Sequence, residues 1–335
     1  MIKILKLLSL INIFNNNIII YSGSGFGFGS HSKELYFYLK KNIKDKDIYV
    51  VSRKKDPNCY YLYSLKGIIL LLFSKYIFLN VTLPKFISFK NKIIIQLWHG
   101  VPLKSLGYFD NSISDELKKR LKFEFNNYNY IIATSEYQKL SLINSFKIKN
   151  TERIIISTTP EILHLKYKID NLSNKNENQK INILYLPTYR TSNNNIDRSW
   201  DLNEIIGIDK FIEENNISFK TSYHPLDPLY EKKSIEQYYS DFSESDIIIS
   251  DYSSIIFDCL TLNKKFCLYC TDKENYISER GINPSFNFSE FPIIHNLDDL
   301  GLFIMNNSFD FDKLSFYKSE TDEIVFQSIL KMILK

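Results

Sequence analysis

Short apolar runs punctuate the first half of the chain: "NIIIYS", "DIYVVS", "YIFLN", "KIIIQLW", "YIIATS" and "RIIIST", each stopped by polar residues. They read as strands. Helical patterns lie between several of them. In "SISDELKKRLKFEFN" (112–126), Ile113, Leu117, Leu121 and Phe125 recur every fourth residue, and Ser112 with Asp115 resembles a capping box. "GIILLLFSKYIFL" (67–79) reads as a helix running into a strand. "DNLSNKNENQK" (170–180) is nearly devoid of apolar residues and reads as a linker. Alternation then resumes with "INILYL", a helix near 202–215, "ISFKTSY", "DIIIS", a helix from about 254, and "KFCLYC". An amphipathic helix, "DEIVFQSILKMILK", closes the chain. Strand alternating with helix predicts doubly wound parallel sheets of the α/β class. The expected domains are 1–172 and 173–317, with 318–335 as the closing helix. Ligands of such sheets sit outside the carboxyl ends of the strands, so chemistry is expected in a cleft between the domains.

The 335-residue length fits two domains, and 44% apolar with 24% charged residues is ordinary for a globular chain. A net charge of +4 from scattered lysines excludes a dedicated nucleic-acid binder. Cys59, Cys259, Cys267 and Cys270 lack the second pair a zinc site needs and read as free thiols in a reducing compartment. Neither "MIKILKLLSLINIF" nor 67–79 is long enough to span a bilayer. A cytoplasmic protein touching a membrane face is the expectation.

"GSGFGFGS" (23–30), between the first strand and a helix, looks like a phosphate cradle, yet its glycines miss the dinucleotide spacing G-x-G-x-x-G. Gly25 and Gly27 then read as a close-approach turn. Four stretches turn polar where a strand ends. In "QLWHGVPLK" (96–104), Gly100 and Pro102 force a turn that exposes His99, a candidate base. "YLPTYR" (185–190) offers the Thr188 hydroxyl and the Arg190 fork, suited to phosphate. "TSYHP" (221–225) places His224 at a strand end. "SDYSSIIFD" (250–258) brings Ser253 and Ser254 to a helix start, an anion site or an ordinary cap, with Asp258 one turn in. "TDKENYISERGINPSF" adds Arg280 and Gly281, read as a solvated loop. Nothing offers a metal cage.

In that order, "QLWHGVPLKSLG", "YLPTYR", "YHP", "SDYSSIIFD" and "ENYISERG" resemble the CDP-glycerol glycerophosphotransferase family, which builds teichoic acids and related capsule polymers. The resemblance covers about residues 20–290. It implies a GT-B fold, two Rossmann-like domains with the acceptor on the N-terminal side and a CDP-linked donor on the C-terminal side. It implies His99 as general base and His224 as a second catalytic group. Thr188, Arg190, His224, Ser250, Asp251, Ser253, Ser254, Asp258 and Arg280 are implied around the donor, with Gly25, Gly27 and Lys104 on the acceptor side. The implied partners are CDP-glycerol or a related CDP-polyol and a polymer or lipid-linked acceptor, with neither cofactor nor divalent metal. Three places depart from the family pattern: Val101 replaces a usual Thr, Tyr189 a usual Trp, and "STTPEILHL" (157–165) lacks a usual glycine and arginine. The rival readings are a GT-B glycosyltransferase using a nucleotide sugar and a non-catalytic homologue that binds polymer.

Overall fold

The computed structural model describes residues 1–23, 28–171, 180–190, 198, 200–224, 227–306 and 310–334. Two parallel sheets organise them. The first contains β1 (Phe14–Ser22), β2 (Asp47–Ser52), β3 (Tyr60–Tyr61), β4 (Ser74–Leu79), β5 (Ile93–Gln96), β6 (Tyr130–Ala133) and β7 (Ile154–Ile156), in the order β3-β2-β1-β4-β5-β6-β7. The second contains β8 (Ile181–Leu186), β9 (Ile217–Thr221), β10 (Ile247–Ser250), β11 (Lys265–Tyr269) and β12 (Ile293–Ile294), in the order β12-β11-β10-β8-β9. Strand order reverses between β1 and β4 in the first sheet and between β8 and β10 in the second. At such switch points the connections leave in opposite directions and open a crevice at the strand ends.

The strands are apolar on both faces because helices cover both. Ile18, Ile19, Ile77, Ile94, Ile131 and Ile132 are fully buried in the first sheet, as are Ile248, Ile249 and Cys267 in the second. The helices are α1 (Ile2–Leu8), α2 (Ser30–Asn42), α3 (Leu65–Phe73), α4 (Asp115–Phe125), α5 (Glu136–Phe146) and α6 (Pro160–Asp170). They continue with α7 (Ile208–Glu214), α8 (Ile235–Glu244), α9 (Ile255–Thr261), α10 (Lys273–Arg280), α11 (Leu297–Met305) and α12 (Glu323–Ile333). As read from the sequence, α3 runs directly into β4. The cap of α4 is Ser114, whose hydroxyl accepts from the Leu117 amide, and Ser112 turns back onto Asp110 instead. The stretch expected as a helix over 202–215 splits into a 3-10 turn at Leu202–Glu204 and the short α7.

The chain divides into two compact units. Met1–Gly100, Ile113–His164 and Glu320–Lys335 form the first, and Val101–Ser112 with Leu165–Ser319 the second. Two segments therefore leave the order expected from a single cut. Helix α12 buries Phe326, Ile329, Leu330 and Ile333 against Ile18, Ile20, Leu35 and Leu39 of the first unit. Residues 101–112 cross to the second, where Leu103 and Ser105 pair with the chain after α10. The linker read at 170–180 lies almost wholly outside the described residues, as do Gly25, Gly27 and Pro225. Cys259, Cys267 and Cys270 are buried free thiols, Cys59 is half-buried, and burial raises the pKa of all of them.

Candidate active site

In the first unit the chain leaves β5 through a fixed turn. Trp98 sits in the left-handed region (φ 58°), as does Gly100 (φ 82°). For a bulky residue that conformation costs roughly 1–3 kcal/mol, and packing offsets it: the Trp98 ring lies edge-on against Phe125 and Phe146 and stacks on His99 at 4.3 Å. The Trp98 amide donates to Gln96 Oε1, and Gln138 Nε2 donates to the Gly100 carbonyl. The turn is thus pinned on both sides of His99.

His99 Nδ1 lies 2.6 Å from the carbonyl oxygen of Asn80, which follows β4 at the switch point. A carbonyl only accepts, so Nδ1 carries the hydrogen and Nε2 keeps its lone pair. The side chain is open to solvent, and Nε2 meets no hydrogen-bond partner among the described residues. The surrounding protein lowers the His99 pKa by desolvation; the Asn80 contact partly opposes this and the nearby His31 adds to it. The imidazole is neutral and able to accept a proton at neutral pH.

The second unit gathers its polar groups at the carboxyl ends of β8, β10 and β11. Asp251, 1% exposed, accepts from the amides of Thr188 and Tyr252 and pairs with Arg190 at 2.9 Å. Arg190 also binds Asp272 through Nε at 2.7 Å and donates to the Thr188 carbonyl and hydroxyl at 2.8 and 2.6 Å. Trp200, Tyr252 and Tyr276 surround the guanidinium, with ring centres 4.5, 5.1 and 4.9 Å away. Burial opposes its charge, but the two carboxylates win and its pKa rises above the usual value. Tyr252 donates to Asp272, closing the network.

Residues expected around the donor and the acceptor have the following surroundings, and two of them, Arg280 and Lys104, lie elsewhere than the sequence suggests. The Arg190 fork is spent inside the protein. Ser250 and Asp251 are both buried, and the Ser250 hydroxyl donates to the Leu186 carbonyl. Ser253 accepts from the Ile255 amide as a cap, whereas the Ser254 hydroxyl makes no hydrogen bond with a described residue. Helix α9 behind them is only seven residues long, with half-buried Asp258 in its first turn. His224 is exposed, near-parallel to the Tyr189 ring at 6.1 Å; desolvation and then Lys104 lower its pKa. Arg280 ends α10 rather than lying in a loop, and Gly281 (φ 70°) turns the chain out of it. Lys104, expected on the acceptor side, belongs to the second unit, paired through its backbone with Ile282.

Asp272, Trp200 and Tyr276 were not singled out from the sequence. Asp272 stands three residues beyond β11, so the strand-end rule that found Asp251 also reaches it. Tyr276 had no comparable signal among 23 tyrosines, and Trp200, though one of only two tryptophans, directly ends none of the strands read from the sequence. No group of three or more His, Cys, Asp or Glu among the described residues could hold a metal ion.

Two Rossmann-like parallel sheets, each with polar residues at its switch point, make up a GT-B-like fold. The family described as CDP-glycerol:poly(glycerophosphate) glycerophosphotransferase matches residues 4–300, and the chain belongs to it. It is a transferase of that family. A teichoic acid poly(glycerol phosphate) polymerase of Bacillus spizizenii is 28% identical over 301 residues, 78% of this chain and 76% of that protein. A teichoic acid glycerol-phosphate transferase of Staphylococcus aureus is 23% identical over 315 residues, 82% of this chain and 78% of that one. The solved wall teichoic acid polymerase TagF superposes with a TM-score of 0.69 at 19% identity, covering 97% of this chain and 89% of its own. A putative UDP-N-acetylglucosamine 2-epimerase from Listeria monocytogenes shares the fold more distantly, with a TM-score of 0.59 at 14% identity over 95% of this chain and 96% of its own.

Proposed function

We propose that the chain moves glycerol phosphate, or a related polyol phosphate, from a CDP-linked donor to a hydroxyl of a teichoic acid or related surface-polymer precursor. The observation that carries this reading is His99: its Nδ1 is committed to the Asn80 carbonyl and its Nε2 is held neutral and open. Nε2 takes the proton of the acceptor hydroxyl as that oxygen attacks the phosphorus bonded to glycerol. The bond from that phosphorus to the bridging oxygen breaks, and CMP leaves with the electron pair. Cations and hydroxyls of the second unit offset the charge that develops, catalysis resting on positioning and electrostatics. His224 stands at the end of β9 as a donor to a phosphate oxygen.

We further propose that the reaction takes place at a cytoplasmic membrane face. In support, α1 and the residues after it expose Ile2, Ile4, Leu7, Ile11 and Ile13 beside the exposed Lys3 and Lys6, and no acidic residue precedes Glu34. Apolar side chains flanked by lysines suit an anionic lipid surface. No helix of the described residues is long and apolar enough to cross a membrane.

The test is transfer from CDP-glycerol, CDP-ribitol and a panel of UDP-sugars to a lipid-linked or polymer acceptor, with products sized. CMP release coupled to growth of the acceptor by polyol phosphate is the expected result. Sugar transfer from a UDP donor, with CDP-polyols inert, would replace this reading by the glycosyltransferase one.

A further inference from the structure

Around the Arg190 network, two cations remain without a carboxylate. Lys104 and Arg280 are both exposed, and neither makes an ion pair with a described residue. Arg190, by contrast, satisfies two carboxylates and a threonine and is walled in by three rings. Lys104 is brought here by a built device. Its backbone bridges Ile282 in antiparallel fashion, the Ser105 amide donates to the Gly281 carbonyl, and the Asn283 amide donates to the Leu103 carbonyl. The Ser105 hydroxyl donates to the Ile282 carbonyl at 3.0 Å. The approach is close enough that a Cβ on Gly281 would stand 2.6 Å from Ser105 Oγ, so glycine serves both its positive φ and this contact.

The same ring positions both charges. Lys104 Nζ lies 5.7 Å from the centre of Tyr276, and the Arg190 guanidinium carbon 4.9 Å from it. Tyr276 itself is stacked on Tyr252 at 3.8 Å. Two acidic groups, Asp251 and Asp272, are consumed by Arg190. Arg190, Lys104 and Arg280 bring three positive charges against these two carboxylates, which leaves one in excess; desolvation lowers the Lys104 pKa, Arg280 and Arg190 add to this, and Asp251 opposes it. An incompletely neutralised cluster open to solvent is a seat for an anion.

We propose that Lys104, delivered to the second unit by the 101–105 segment, contacts the donor's diphosphate, and that Arg190 is a positioning residue that does not touch it. Arg190 holds Asp251, Asp272 and the Tyr252–Tyr276 pair in place, and Lys104 with Arg280 meets the phosphates. This deepens the donor site proposed above and rests on that reading.

The test measures calorimetric affinity of the full chain for CDP, CMP and cytidine, with thermal unfolding alongside. Lys104→Met should weaken CDP binding roughly 10- to 100-fold, the usual effect of losing a hydrogen bond to a charged group. Cytidine binding and the unfolding temperature should stay at wild-type values, and Lys104→Arg should recover most of the CDP affinity. Arg190→Lys should lower the unfolding temperature and weaken CDP and cytidine by similar factors, since it loosens the whole site. Wild-type CDP affinity in Lys104→Met would overturn the assignment, as would an Arg190→Lys variant of unchanged stability that loses CDP affinity alone. A wild-type chain that binds no cytidine nucleotide would sink the donor reading itself.

Discussion

His99 derives its chemistry from what holds its other nitrogen. The Asn80 carbonyl selects the tautomer, and the Trp98 stack fixes the ring plane. His99→Ala should reduce transfer by about 10²–10⁴-fold, the usual contribution of a positioned base, while CDP-glycerol affinity stays near the wild-type value. Single-turnover rates and calorimetry on the same variant decide it. Lost donor affinity with an unchanged rate would assign the roles to the wrong residues. The pH dependence has a definite sign. A histidine pKa lowered by desolvation keeps the base neutral to lower pH, so the acid limb of kcat/KM should fall below the ordinary histidine value of about 6.5. An acid limb above that value would contradict a desolvated base.

Among the elements, α1 is set apart by exposing its apolar residues. Ile4 (64% exposed) and Leu7 (67%) lie one turn apart, with Lys3 and Lys6 between and beside them. An apolar face flanked by lysines adds burial in the acyl boundary to attraction for anionic headgroups. Co-sedimentation with phosphatidylglycerol vesicles should exceed that with phosphatidylcholine vesicles, and Ile4→Asp with Leu7→Asp should abolish it without lowering the unfolding temperature. Vesicle binding that persists in the double variant would place the contact elsewhere. The short α9 makes the opposite point. It is seven residues long, the Ser253 hydroxyl accepts from the Ile255 amide with its own hydrogen still to donate, and the Ser254 hydroxyl makes no hydrogen bond with a described residue.

Across the whole chain, the two units are not two halves of the sequence. The 101–112 segment completes the second unit, and α12 completes the first. A fragment of residues 176–317 therefore lacks Lys104 and leaves the partners of Leu103 and Ser105 at Gly281, Ile282 and Asn283 unmade. It should bind CDP at least 10-fold more weakly than the full chain, in line with the loss of a charged contact. Adding a peptide of residues 101–112 should restore part of the difference. A fragment as tight as the intact protein would show that the segment has no part in donor binding.

What the sequence determined on its own was ten of the twelve strands among the described residues, all but the two-residue β3 and β12, and the polar residues that end them. An apolar run stopped by polar residues is a local pattern, so Ile93–Gln96 followed by His99, and Ile247–Ser250 followed by Asp251, were readable by eye. The family motifs were readable for the same reason, being contiguous. The tertiary structure alone decided which polar groups meet. Arg190 and Asp272 are 82 residues apart, and nothing local says that the arginine is satisfied by a carboxylate after β11 rather than left for a phosphate. Lys104 lies five residues from His99 in the chain, yet its partners at 281–283 assign it to the other unit. Hydrogen bonds and ion pairs depend on distance in space, and chain order constrains that only over a turn or two of helix.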